Sequence, residues 1–291
     1  MTLIFLLFAT LLTNINCENN TIFAPSLFLN HGGGPYPVLG EEFNKEIRDS
    51  LKNVSSFVDL KRLNAVIVVT AHREEDVVTI SSGDHHEMLY DYYNFPPISY
   101  TFKHNAPGDP VLAGRIHEAF KKVGIPSKLD SVRGWDHGVF IPMMLVDPDA
   151  NIPIVQVSIL KNQDAAQHFE IGKVLYQFRK EGVAVFGSGM SYHNMGEFKK
   201  AESDDNRLIV NDKFDEFLNE VCTGDAGEMK DRLTTWMEVP GGLESHPLGE
   251  ADHLMPLIVN AGAGDTHPGT NIFKSVFIYK FRLSGFIWDK E

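Results

Sequence analysis

Cysteine is nearly absent: the 291 residues hold only Cys17 and Cys222. With Cys17 at the edge of an N-terminal tail, no internal disulfide framework is expected. Basic residues are in deficit, 26 Lys and Arg against 39 Asp and Glu for a net charge of −13, and they form no cluster or arginine-rich segment. That balance argues against nucleic acid or an anionic membrane surface as a partner. Beyond the tail there is no low-complexity linker, repeat or shift in composition, so a single domain is expected. An apolar share of 43% supports a sizeable core.

The N-terminal apolar run is short. Residues 3–12, LIFLLFATLL, cannot span a bilayer, and the polar Thr13-Asn14-Ile15-Asn16-Cys17 follows. This is the layout of a secretory signal peptide, although the start lacks Lys or Arg and the junction is not of the Ala-x-Ala kind. The expected organisation is a leader over 1–17 and one domain over 18–291. The domain is then secreted; without a working leader it is cytoplasmic.

What the chain does have is apolar runs that end on histidine. Leu27-Phe28-Leu29-Asn30-His31 leads into Gly32-Gly33-Gly34-Pro35, and Asn64-Ala65-Val66-Ile67-Val68-Val69-Thr70-Ala71 leads into His72. The β-branched Val66 to Val69 suit a strand buried on both faces. A glycine turn also forms without any ligand. Two histidines at the ends of separate buried strands, however, point to a shared pocket at the carboxyl edge of an open α/β sheet. A third run, Val183 to Gly187, continues through Ser188-Gly189-Met190-Ser191-Tyr192 to His193.

Helical spacing appears at Phe43, Ile47, Leu51 and Val54, over 163–181, over 204–222 and over 226–237; Asp109-Pro110 opens a capped helix to Val123. Strands are expected at 77–81 and 152–159, with strand-rich sequence over 272–288 bent at Ser284-Gly285. The fold class is therefore α/β, a mostly parallel or mixed central sheet flanked by helices. Residues 83–108 are too long and too aromatic for a plain connection. They form either a packed surface loop or a lid that supplies Tyr92, Tyr93 and Phe95 to an aromatic ligand. In Trp135-Asp136-His137-Gly138, Asp136 is placed to cap the following apolar helix or to meet substrate. His137 would serve as an acid/base group or hydrogen-bond donor. His253, in Gly249-Glu250-Ala251-Asp252-His253, opens another apolar helix.

These motifs, with Ala106-Pro107-Gly108, Pro153-Ile154-Val155-Gln156-Val157-Ser158, Ser191-Tyr192-His193-Asn194 and His253-Leu254-Met255-Pro256-Leu257, stand in the order found in class III (LigB-type) extradiol ring-cleavage dioxygenases. The chain resembles that family over nearly everything from residue 25 onward, most closely its DOPA extradiol dioxygenase branch. The resemblance implies an extradiol-dioxygenase-like catalytic domain with one divalent non-haem metal, Zn²⁺ or Fe²⁺. The implied holders are His31, His72 and His253, with His193 as a further ligand or as the acid/base. Its implied reactants are O₂ and a small catechol, and an acidic surface with lid aromatics fits one bearing an amine, such as DOPA or dopamine. His193 and His137 are then the catalytic candidates, and Tyr92, Tyr93, Phe95 and Asp136 the substrate-binding ones.

Two other readings stand beside it. A set of histidines without a carboxylate suits redox-inert zinc, so the same fold could be a catalytically silent zinc-binding module. An α/β-hydrolase esterase is the other, since His31-Gly32-Gly33-Gly34 imitates an oxyanion-hole motif and Gly189-Met190-Ser191-Tyr192-His193 approaches a nucleophile elbow. The elbow's last glycine is replaced by His193, and the HGGG-like element follows the first strand rather than the third.

Overall fold

A computed structural model describes residues 22–200, 206–264, 267–273, 276–278 and 280–291. The leader-like residues 1–17, including Cys17, lie outside the described residues. The apolar runs that carry the first two histidines form β1 (Ser26–Asn30) and β2 (Ala65–Glu75), followed by β3 (Val78–Ser81), β4 (Ser127–Asp130), β5 (Ile154–Leu160) and β6 (Val183–Gly189). The strand-rich C-terminus divides into β7 (Thr270–Asn271), β8 (Val276–Ile278), β9 (Phe281–Leu283) and β10 (Phe286–Trp288), with Ser284 and Gly285 at the bend. Helices α1 (Tyr36–Leu39) and α2 (Lys45–Lys52) follow β1, α3 (Pro110–Lys122) precedes β4, and α4 (His137–Val146) precedes β5. Then come α5 (Ala165–Arg179), α6 (Met195–Lys200), α7 (Asn206–Thr223), α8 (Ala226–Thr234), α9 (Gly242–Ser245) and α10 (Met255–Ala263).

Among the described residues, eight strands form one mixed sheet in the order β4-β3-β5-β2-β6-β1-β10-β7, and β8 pairs with β9 alone. The central four are parallel: Ser26 pairs with Val185, Ala65 with Val183, and Val66 with Ile154. Their carboxyl ends therefore share one edge, where β1 delivers His31 and β6 delivers the loop carrying His193. β3 and β10 are antiparallel to their inner neighbours β5 and β1.

Side chains alternate across a strand, and the two faces bury different residues here. Phe28, Ala65, Ile67 and Val69 join one core with α3, α5, α7 and α10; Leu27, Leu29, Val66 and Val68 join the other with α2 and α4. Burial on both faces is what the unbroken apolar strands require. Two differences from the sequence reading have local causes. β2 does not stop at His72 but runs to Glu75, past an irregular register between Thr70 and Glu74 that turns the His72 segment out of the ladder. β4 has too few apolar residues to be read as a strand; its pairing from Val78↔Ser127 to Ser81↔Asp130 makes it one.

Three histidines are built into the fold as neutral groups. His168, fully buried on α5, donates from Nδ1 to the Asp164 carbonyl at 2.7 Å and accepts the Leu160 N–H at Nε2 at 2.9 Å. Burial lowers the pKa of His168 to about 4, of His104 to about 4 and of His246 to about 3. An unfolded histidine titrates near 6.5, so below that pH the unfolded chain binds more protons and stability falls with pH. For His168 the loss runs from about pH 6.5 to about pH 4 and approaches roughly 3 kcal/mol at the acid end. Urea unfolding at pH 7.5 and pH 4.5 measures it. The stability gap between wild type and His168→Gln is expected to shrink at the lower pH.

Candidate metal centre

The site forms where the parallel strands end. His31 follows β1, and its N–H bonds the Gly189 carbonyl at the end of β6 at 3.0 Å. Met190 N–H bonds the His253 carbonyl at 3.1 Å, which ties the turn before α10 to the same strand. This contact requires glycine at 189, because a Cβ there would stand 2.2 Å from the His253 carbonyl oxygen. The Gly32 turn has φ +79°, and a Cβ would lie 2.6 Å from Asn44 Oδ1.

The rings of His31, His72 and His253 make a near-equilateral triangle. Their centroids are separated by 5.0 Å (His31–His72), 5.1 Å (His31–His253) and 4.9 Å (His72–His253). His31 Nε2 and His72 Nε2 face one another at 3.2 Å. His137 stands 3.9 Å from His72, and His193 stacks on His253 with centroids 3.5 Å apart and planes 14° apart. Ligating atoms within 4.8 Å of one another occur in two groups: His31, His72 and His137, and His193, Asp252 and His253. The structure thus brings all five histidines to one place, and puts His137 as near to His31 and His72 as a ligand would be.

Burial keeps His31, His72, His193 and His253 uncharged. Burial, then the neighbouring histidines, hold His31 and His253 well below the ordinary range. Burial and His137 do the same for His72, and burial with His137 lowers His193 to about 4. Neutral imidazole is the ligating form.

Hydrogen bonds select the tautomers. Ser188 Oγ donates to the Gly138 carbonyl and so accepts from His31 Nδ1 at 2.9 Å, which leaves His31 Nε2 as a lone pair. Asp91 Oδ1 accepts both the backbone N–H of His137, at 2.9 Å, and its Nδ1–H, at 2.8 Å. Asp91 Oδ2 lies 3.7 Å from His72 Nδ1. Burial pushes the Asp91 carboxyl up, but the His137 hydrogen bonds outweigh it and hold it below its usual value. Outer partners of this kind orient metal ligands. Ser188→Ala is expected to weaken metal binding by about 10–100-fold with the fold intact, measured by competition with a chromogenic chelator.

His253 Nδ1 has Asp252 Oδ2 at 2.9 Å but no well-aligned hydrogen bond, and is buried without a partner. Three imidazoles on one ion with metal–nitrogen bonds of about 2.0–2.1 Å have ring centres roughly 5 Å apart. The triangle and the facing Nε2 pair therefore fit a divalent cation.

Above the histidines lies a cavity of about 420 Å³, lined by His72, His137, His193 and His253 below and by aromatic and methionine side chains around. Tyr92, Tyr93 and Phe95 are all on its wall. Tyr92 is buried, donates its hydroxyl to the Ser99 carbonyl and packs on Phe95, so the aromatic loop is a self-packed wall; Tyr93 is 80% exposed at the rim.

Asp136 sits elsewhere. Although it precedes α4, its side chain makes no capping bond. Its fully buried carboxylate accepts from Thr70 Oγ1, Arg133 and Gln156 behind the histidines, and it is not part of the cavity wall. Ser191 Oγ is buried and accepts the Ser284 N–H at 3.0 Å, so the serine that imitated a nucleophile elbow holds β9 to the site loop. A larger cleft of about 720 Å³, between residues 55–63 and 146–152, contains none of these histidines.

Residues 26–281 match the family model described as the catalytic LigB subunit of aromatic ring-opening dioxygenase. The chain belongs to this family of LigB-type extradiol dioxygenases. Among its relatives, the dioxygenase tasH of Hapsidospora irregularis is 37% identical over 90% of this chain and 86% of its own. The 4,5-DOPA dioxygenase extradiol of Portulaca grandiflora is 33% identical, covering 83% of this chain and 87% of its own. The crystal structure of an uncharacterized Escherichia coli K12 protein superposes with a TM-score of 0.68 at 26% identity, over 91% of this chain and 99% of that one.

Proposed function

We propose that this protein is a metal-dependent extradiol dioxygenase that opens a catechol ring beside its hydroxyls and places both atoms of O₂ in the product. The observation that carries the reading is the near-equilateral His31, His72 and His253 triangle, two of whose rings, His72 and His253, line an aromatic-walled cavity. At about 420 Å³ the cavity is in the range of small-molecule sites, about 300–1,000 Å³.

His31, His72 and His253 would hold the metal, which when it is Fe²⁺ supplies the electron transfer between catechol and O₂. The chain's other groups bind and move protons. His193, neutral and on the wall, is placed to take a proton from a catechol hydroxyl and return it to the product. His137 keeps its Nδ1–H on Asp91, which leaves Nε2 to accept a hydrogen bond from the second hydroxyl. The rings of Tyr92 and Phe95 flank the bound aromatic ring and keep water from it. With residues 1–17 as a leader, the domain would work outside the cytosol.

Anaerobic protein reconstituted with Fe²⁺ should consume O₂ and catechol in equal amounts and form a coloured ring-opened product. Zinc at one per chain, with no O₂ uptake by the iron form on any catechol, would favour the silent zinc module, to which the all-imidazole triangle is equally suited.

A further inference from the structure

His72 stands where its strand leaves the sheet. The β2–β5 register jumps from Thr70 to Glu74 and the β2–β6 register ends at Thr70, so the ladder skips this histidine. An irregularity of this kind re-aims a side chain and leaves backbone groups to find other partners. Both backbone groups of His72 have one. Its N–H donates to Thr70 Oγ1 at 3.1 Å, and its carbonyl accepts from Arg133 Nη2 at 3.0 Å.

The two partners meet on one carboxylate. Thr70 Oγ1 donates its single proton to Asp136 Oδ1 at 2.9 Å, and Arg133 Nη1 donates to Asp136 Oδ2 at 2.9 Å. Gln156, from β5, adds its Nε2 to Asp136 Oδ2 and turns its Oε1 to Arg73. A buried polar network whose members are all engaged holds its shape. Gly138 admits the arrangement, since a Cβ there would stand 2.3 Å from Thr70 Oγ1 and 3.1 Å from His72 Cδ2.

We infer that Asp136 is a positioning residue, clamping the N–H and the carbonyl of His72 through Thr70 and Arg133 and so fixing the direction in which that imidazole meets the metal. The inference rests on the reading of His72 as a metal holder. It gives Asp136 a task that is neither helix cap nor substrate contact. Ser188 and Asp91 act on ring nitrogens; this clamp acts on the backbone that carries the ring.

Replacing Asp136 itself would take a negative charge from beside a cation and weaken binding for that reason alone. The test therefore changes the two arms at constant charge, Thr70→Val and Arg133→Lys, in metal-free protein titrated with Co²⁺ against a chelator. The titration reads affinity, and the ligand-field bands of bound Co²⁺ read its geometry, both without turnover. Each variant is expected to bind about 10–100-fold more weakly, the usual cost of losing an outer partner, with shifted bands. Thr70→Ser, which keeps the hydroxyl, should restore both. A role confined to stability would lower the thermal midpoint of the metal-free variants and leave affinity and bands alone. Lysine is a point charge that reaches one of the two acceptors of Arg133 but not both. The Arg133 side chain is 24% exposed, so this variant is expected to fold even where Thr70→Val does not. Wild-type affinity and bands in either folded variant overturn the inference and leave the metal reading intact, whereas no Co²⁺ uptake by the wild type overturns both.

Discussion

His72→Ala and His253→Ala are each expected to lose the metal, taking bound divalent ion from one per chain to near zero after dialysis against a weak chelator. Removing an outer partner of a metal ligand costs about 10–100-fold in affinity, and removing one corner of a three-imidazole triangle costs more. Both variants should fold, because each truncated ring faces the cavity rather than the two cores. Their thermal midpoints should match metal-free wild type and fall below the loaded protein, since a ligand bound only by the native state stabilises it. His193→Ala should separate binding from chemistry, retaining metal while losing turnover. Mass-spectrometric metal content with far-ultraviolet circular dichroism checks all three. Full metal in His72→Ala or His253→Ala would remove that residue from the site.

The second large effect lies far from the metal. Arg179, at the end of α5, is fully buried and, among the described residues, bonds backbone carbonyls rather than a carboxylate. Its Nε donates to Ala24, Nη1 to Ala263 and Nη2 to Trp288, so one side chain joins the entry to β1, the end of α10 and β10. The guanidinium also stacks over Phe23, 4.2 Å from the ring centre. Burial lowers its pKa to about 10, which leaves it charged at neutral pH. Arg179→Ala strips three buried acceptors, each worth about 1–3 kcal/mol when left unpaired. The expected loss is roughly 3–5 kcal/mol, or a fall in thermal midpoint of roughly 10 °C. Arg179→Lys should recover only part of it, since a point charge cannot span three divergent carbonyls. Calorimetry measures both, and a drop of less than about 1 kcal/mol for the alanine variant would show that water replaces the guanidinium.

Much of this architecture was legible in the sequence because its signals are local. The uninterrupted β-branched run Val66–Val69 marked β2 as a strand buried on both faces, and the apolar runs at 152–159 and 183–187 marked β5 and β6 as strands. Asp109-Pro110 marked the start of α3, where Asp109 does accept the Leu112 N–H at 2.8 Å. His31, His72 and His193 could be placed at one sheet edge because each follows an apolar run.

What was missed depends on distance along the chain. Asp91 contacts His137 across 46 residues and comes from a loop with no periodicity to fix its direction. Ser188, which sets the His31 tautomer, is 157 residues away from it. Asp136 occupies a position where a helix cap is common, and nothing local reveals that Thr70, Arg133 and Gln156 converge on it instead. Arg179 falls inside a correctly read helix, but charge patterning treats a terminal arginine as solvent-facing. Tertiary contacts alone bury it.

The most direct test of the central claim is a single turnover of the anaerobically prepared Fe²⁺ protein with a catechol under ¹⁸O₂, followed by mass spectrometry of the product. Two ¹⁸O atoms in one ring-opened molecule are the expected result. A quinone without label, or intact catechol beside a fully iron-loaded site, would contradict it.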